Sequence, residues 1–158
     1  NGWVHTGDIG EFDDEDYLKI TDRKKDILVN AGGDNISPTR VEAKLDIEPE
    51  IAQSMLYGDY KNYLVAVIVP DKDFAINWAK ENSKDQVFES IVKDEDFIKT
   101  MKEIVNKVNK NLSVIEQVRK FILIDHEFTI ENSMMTVSMK VRRFAVKDKY
   151  ADQLEKLY

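Results

Sequence analysis

Over residues 1 to 30, short β-prone runs such as Tyr17-Leu18-Lys19-Ile20 and Ile27-Leu28-Val29 alternate with the turn signals Gly7-Asp8, Gly10 and Asp13-Asp14. That pattern predicts short strands joined by tight turns. Gly32-Gly33 permits backbone angles closed to other residues. Ser37-Pro38 then combines an N-cap hydroxyl with proline at the first helical position, which predicts a helix from Pro38 to about Leu45. Ser54 to Tyr57 and Tyr63 to Val69 read as paired strands around the turn Gly58 to Asn62. The second is apolar on both faces, which predicts a central strand ended by Pro70. Beyond Pro70 helices are predicted over Asp73 to Glu81, Asp94 to about Asn111 and Val141 to Tyr158. Phe97, Met101, Ile104, Val105, Val108 and Leu112 form the core face of the second, and Phe144, Ala145 and Leu154 that of the third. A short strand, Phe121 to Ile124, and a turn at Glu131-Asn132-Ser133 lie between them. The mixture predicts an α+β fold, a small mixed β-sheet lobe with flanking helices.

Composition narrows the classes of function. The chain has 158 residues, 42% of them hydrophobic and 34% charged, enough for one sizeable core and at most an appended segment. A formal net charge of -7 argues against general affinity for nucleic acid or anionic lipid, so any phosphate must be met by local cations. Cysteine is absent, which excludes disulfides and thiolate metal sites, and two separated histidines make no metal site. A reducing, cytoplasmic setting fits. The longest apolar run, Tyr63 to Pro70, is too short to cross a bilayer, and the first residues lack the plan of a signal peptide. The chain opens on Asn1 rather than Met, as a piece cut from a longer chain would.

Three separated segments carry chemistry. Gly2-Trp3-Val4-His5-Thr6-Gly7-Asp8 resembles the GW-x-x-TGD signature of the adenylate-forming superfamily. Asp22-Arg23-Lys24-Lys25-Asp26, followed by Asn30 to Pro38 and Val41-Glu42, is similar to that superfamily's hinge and the loop after it. The phrasing DRKKD followed by NAGGDNISP looks most like the long-chain fatty acyl-CoA synthetase branch. Thr136 to Arg143 resembles the segment that bears the adenylation lysine, with the same Lys-x-x-Arg spacing from Lys140 to Arg143. The three stand in the family's order and bracket nearly the whole chain.

The resemblance implies a division of labour. Residues 1 to 24 would be the end of a large N-terminal adenylation domain and its hinge, and residues 25 to 158 the C-terminal mobile catalytic lobe. The implied chemistry attaches an acid to the α-phosphate of ATP, releases pyrophosphate, and passes the acyl group to the thiol of coenzyme A. Asp8 would accept hydrogen bonds from the two ribose hydroxyls of ATP or AMP. Without the motif it reads as a turn aspartate capping backbone amides. Arg23 would lie near ribose and phosphate, where a planar, permanently charged fork suits an anion. Its other reading is a surface arginine paired with Asp22 or Asp26. Lys25 falls on the hinge position and Gly32-Gly33 on the face that admits coenzyme A.

Lys140 is the implied catalytic group, an ammonium answering the charge that gathers on carboxylate and α-phosphate oxygens. The alternative is a solvated lysine beside equally exposed Arg142, Arg143, Lys147 and Lys149. Many relatives carry glycine before this lysine, where Met139 stands here. Mg2+ is implied by the family with its ligands outside these residues, and no metal ligands are assigned within them. The implied partners are the missing N-terminal domain, a small-molecule acid, ATP and coenzyme A, with no nucleic acid and with room for peripheral membrane contact. His5 and His126 read as ordinary structural or surface histidines, Trp3 and Trp78 as core, and Asp13 to Asp16 as a solvated turn rather than a calcium loop. Two other readings stand beside this one: a ligase for aryl or medium-chain acids, and a non-catalytic interaction module. Trp3, Ile9 and Phe12 would want the absent domain as a partner, so residues 1 to 22 are expected to pack poorly alone.

Overall fold

The strand β6, Leu64–Pro70, is buried along its whole length. A strand apolar on both faces needs cover on both, and it sits in the middle of a three-stranded sheet in the computed structural model, which describes residues 2–158. Asn1, the first residue of the expected hinge-side segment, lies outside the described residues. β5 (Ile51–Tyr57) runs antiparallel to β6 and β7 (Val118–Leu123) parallel to it, so the sheet is mixed, as expected. The parallel neighbour requires a long crossover, supplied by α2 (Lys72–Glu81), α3 (Phe88–Ile91) and α4 (Glu95–Asn109).

The two faces of β6 feed two cores. Leu64, Ala66 and Ile68 join α1 (Pro38–Leu45), α2 and α4 through Val41, Leu45, Ala75, Phe97, Met101, Val105 and Val108. Trp78 packs edge-on against Phe97 at 5.0 Å between ring centroids, a core role as predicted. Val65, Val67 and Val69 face the other way, onto Phe128, Met134, Met135 and the helix α5 (Arg143–Glu155). Caps fix the helix starts: Ser37 accepts from the Arg40 N–H, Asp71 from Phe74, and Asp94 from Asp96 and Phe97.

Several expectations are corrected. In α5 the buried stripe is Val146, Tyr150 and Leu154, one residue every four, and Phe144 points outward with 77% of its surface exposed. It stands two residues before Val146, about 200° around the helix from that stripe. Trp3 is 89% exposed rather than core, because nothing among the described residues covers the chain there. The helix over Val141 to Tyr158 begins two residues later than predicted, since Val141 still pairs with Met135 and the Arg142 N–H donates to the Met134 carbonyl. β7 begins at Val118 rather than Phe121, where the Asn109 side chain both donates to and accepts from the Val118 backbone at 2.9 Å. His126 is structural: its Nδ1 meets Asp125 at 2.7 Å and its Nε2 meets the Tyr150 hydroxyl at 2.5 Å and Lys149 Nζ at 2.8 Å, which docks α5.

Ahead of this body stand two hairpins. β3 (Leu28–Val29) pairs with β4 (Asn35–Ile36), and β1 (Asp8–Phe12) with β2 (Leu18–Arg23). All of β1 is exposed, as are Phe12, Leu18 and Ile20, while Asp22 near the end of β2 is buried. In hydrogen exchange, amides of Gly2 to Phe12 are therefore expected in the fastest class and those of Val65 to Val69 in the slowest. Protection across β1 equal to that of β6 would show that the hairpin shares the stability of the sheet.

Candidate functional site

Strand pairing brings the first two motifs together. In the β1–β2 hairpin Asp8 stands opposite Arg23, and the Arg23 Nε lies 3.6 Å from an Asp8 carboxylate oxygen. The Lys24 N–H donates to the Gly7 carbonyl at 2.8 Å, and Gly7 has a φ of +78°, which glycine adopts freely. An open cavity of about 400 Å³ is lined by Thr6, Gly7, Arg23, Lys24 and Lys25. The pairing of Arg23 with Asp22 or Asp26 is not what forms. Asp22 instead accepts the Arg23 backbone N–H at 2.7 Å and the Ser37 hydroxyl at 2.6 Å. The site thus joins a carboxylate acceptor to one guanidinium and two ammonium chains, a set suited to a ligand with hydroxyls next to an anion. Lys25 is exposed in the turn after β2, which the Asp26 N–H closes onto the Arg23 carbonyl at 2.9 Å.

Gly32 and Gly33 lie in the exposed tip between β3 and β4. The Asn30 side-chain oxygen accepts from the Gly32 and Asp34 amides, each at 2.9 Å, and so shapes that tip. Gly33 has a φ of +86° with open space where a Cβ would stand, so it is the glycine the turn requires. The Ala31 N–H donates to the Lys61 carbonyl at 3.0 Å, tying this tip to the β5–β6 turn.

Lys140 closes a tight loop. The Thr136 N–H donates to the Lys140 carbonyl at 2.8 Å, and the Thr136 hydroxyl accepts the Lys140 N–H at 3.1 Å, so one threonine holds both backbone ends. Met139 has a φ of +59°, the left-handed region, at the place where the motif resemblance leads one to expect glycine. The loop therefore keeps a glycine-like shape despite a bulky side chain. Val137, Met139 and Lys140 are all exposed, and among the described residues no hydrogen bond or ion pair joins Lys140 Nζ to Asp8 or Arg23. Nor is any group of three or more metal-ligating side chains found among them.

What supports the loop is an ion pair that reading the sequence for chemistry missed. Arg143, at the start of α5, donates from both terminal nitrogens to the Glu42 carboxylate, with Nη1 to Oε1 at 2.5 Å. Glu42 also accepts the Leu56 N–H of β5 at 2.7 Å. Arg143 is thus no exposed neighbour of Lys140; it is a half-buried strut three residues from it. Burial pushes the Glu42 carboxyl up, and the Arg143 guanidinium and the Leu56 amide pull against it. With a bidentate guanidinium in place, we take the pair as ionic. The overlooked signal was a charged residue on the inward stripe Pro38, Val41, Leu45 of a short helix.

Glu42→Ala should cost about 3 kcal/mol in urea denaturation, the low end for breaking a buried pair, because it strands a half-buried guanidinium. The double change Glu42→Leu with Arg143→Met should recover much of that loss, short of the part owed to the Leu56 amide. Equal losses in the single and double variants would refute the pairing. A second test concerns Asp46, the C-cap of α1, which accepts the Ser54 hydroxyl at 2.6 Å. Burial pushes its carboxyl from 3.8 up to about 6. The folded state then holds the proton more tightly than the unfolded one, so this contribution is full below about pH 4 and is lost as pH rises to about 6. Asp46→Asn should flatten the stability profile across that window, measured by denaturation at fixed pH.

The description AMP-binding enzyme C-terminal domain matches residues 25–158. The chain is 36% identical over its full length to long-chain-fatty-acid–CoA ligase FadD15 of Mycobacterium tuberculosis, of which it covers 27%. It is 32% identical to long-chain-fatty-acid–CoA ligase 1 of Cavia porcellus, again over the whole chain and 23% of the relative. Among solved structures, the adenylation domain of a carboxylate reductase from Mycobacterium chelonae superposes with a TM-score of 0.83 at 28% identity, covering 99% of this chain and 23% of that one. The chain therefore spans about a quarter of the length of each of these relatives. The match over residues 25–158 shows that the chain belongs to the family of AMP-binding enzyme C-terminal domains.

Proposed function

We propose that this chain is the C-terminal part of a long-chain fatty acid–CoA ligase, which joins a carboxylic acid to AMP at the expense of ATP and then passes the acyl group to coenzyme A. The similarity of the whole of this chain to long-chain-fatty-acid–CoA ligases, 36% and 32% identical, is the observation that carries the reading. Residues 1 to 24 act as the last hairpin of the large domain and its hinge, and residues 25 to 158 as the moving lobe. The exposed apolar side chains of Phe12, Leu18 and Ile20 support that division, since they belong against a further surface. Lys25 is the pivot.

Each group then has a task its chemistry suits. Asp8 accepts the ribose hydroxyls, Arg23 offers its fork to the neighbouring phosphate, and the Gly32-Gly33 tip leaves a side-chain-free approach for the pantetheine arm of coenzyme A. Lys140 brings a positive charge to the oxygens of the acid and the α-phosphate as they close on one another. Because Thr136 and the Glu42–Arg143 pair already fix its backbone, little reorganisation is left for the reaction itself. Mg2+ would neutralise phosphate charge, held by groups on the large domain. No helix among the described residues is long and apolar enough to cross a membrane. A cytoplasmic setting with peripheral membrane contact fits a substrate that partitions into lipid.

In the full-length enzyme Lys140→Ala should slow acyl-adenylate formation by about a hundredfold or more, the scale for removing one preorganised charge-stabilising group. Thioester formation from preformed adenylate should be spared. Pyrophosphate exchange and single-turnover thioester formation measure the two separately, and equal damage to both would make the lysine structural.

A further inference from the structure

The contact that spans the pivot is made by a buried carboxylate. Asp22 lies three residues before Lys25 and is only 8% exposed, although its hairpin is otherwise open to solvent apart from the half-buried Thr21. Its oxygens accept the Ser37 hydroxyl at 2.6 Å and the Thr39 hydroxyl at 3.4 Å, both from the first turn of α1 and both beyond the pivot in sequence. Ser37 also caps α1 by accepting the Arg40 N–H at 3.3 Å. One hydroxyl therefore serves two structures, the helix start and the strand that leads into the hinge. The same corner carries the Glu42–Arg143 pair on the next turn of α1.

We propose that Asp22, with Ser37 and Thr39, is a latch that selects the pose of the lobe seen here, so that these three are positioning residues for the two half-reactions. The proposal rests on the hinge reading of Lys25. If backbone rotation at residue 25 turns the lobe relative to the hairpin, residue 22 stays with one body while residues 37 and 39 move with the other. A hydrogen bond between them cannot survive a large rotation unchanged. Its free energy therefore differs between the poses, and only a differential interaction of that kind can shift their populations. Hydrogen bonds to a carboxylate in a buried setting are strong enough to matter. The serine is the sharper half of the latch, because its 2.6 Å contact is short and its hydroxyl is already oriented by the helix cap.

The test uses the full-length enzyme that carries this chain, with Asp22→Ala and Ser37→Ala made separately. Asp22→Ala removes the latch and keeps the helix cap, whereas Ser37→Ala removes both. Adenylation and thioester transfer are each followed in single turnover. We expect the ratio of the two rates to move about tenfold, in the same direction in both variants, the change that corresponds to about 1.4 kcal/mol in an equilibrium. An unchanged ratio in Asp22→Ala, or a parallel fall of both rates with a lowered melting temperature, overturns the latch. Lys25→Pro, which fixes φ near -65° and removes an amide donor, is measured alongside to separate the two readings. If it damages the half-reactions unequally while Asp22→Ala leaves their ratio alone, the hinge stands and the latch falls. If it affects them equally while Asp22→Ala still shifts the ratio, the latch stands and the pivot lies elsewhere between residues 22 and 37.

Discussion

The Glu42–Arg143 pair is the constraint on which the arrangement of this lobe depends. Neither residue can be left alone in a buried setting, so α1 and α5 must approach until the guanidinium and the carboxylate meet. The Leu56 amide adds β5 to the same point, so the pair joins two helices and a sheet edge drawn from three distant parts of the chain. Arg143 is the first residue of α5, and the loop that ends at Lys140 lies immediately before it. Fixing Arg143 therefore fixes the C-terminal foot of the loop, and the Met135–Val141 bridge fixes both of its sides. The tip that remains is five residues long, Thr136 to Lys140, and its threonine hydroxyl closes it.

The sheet makes this pairing feasible. β6 carries no polar side chain and is covered on both faces, so it supports the α1–α2–α4 layer on one side and α5 on the other. A single-sided sheet would hold one of those layers only, and the partners of the ion pair lie on opposite layers. The pair thus runs around the edge of the sheet, at β5, where a free backbone amide is available to it. A mixed sheet also explains the order of elements: the antiparallel neighbour arrives by a short turn, and the parallel neighbour needs the three-helix crossover.

Most of this fold is legible in the sequence because it rests on local chemistry. Ser37-Pro38, Asp71 and Asp94 mark helix starts by side chains that reach their own backbone, and the continuous run in β6 marks a doubly covered strand. What was not legible is set by distant partners. Phe144 looks inward on periodicity alone, yet the phase of α5 is fixed by where Val146 and Tyr150 meet the sheet and where Tyr150 meets His126. Trp3 looks like core because tryptophan usually is, but it has no cover among the described residues. The register that sets Asp8 opposite Arg23 follows from strand pairing, and nothing in the separate motifs specifies it. Arg143 was read as one of several cations because its carboxylate lies 101 residues away in sequence.

The groups assigned to chemistry share a placement that this architecture produces. Asp8 and Arg23 are on a hairpin, Lys25 in a turn, Gly32 and Gly33 at a hairpin tip, and Lys140 at the tip of a closed loop. None of them belongs to either core. A lobe that, as proposed, presents one edge in one reaction and another edge in the next cannot commit its reactive groups to its own interior, since a buried group faces the same neighbours in every pose. Its interior can only supply stiffness. The buried polar residues do supply it: Glu42 braces the lysine loop, Ser54 ties β5 to Asp46 at the end of α1, and Glu116 caps the turn before β7 through Ser113. Among the described residues Asp22 is the buried carboxylate that precedes the proposed pivot, and so it is the one whose contact the proposed rotation would change.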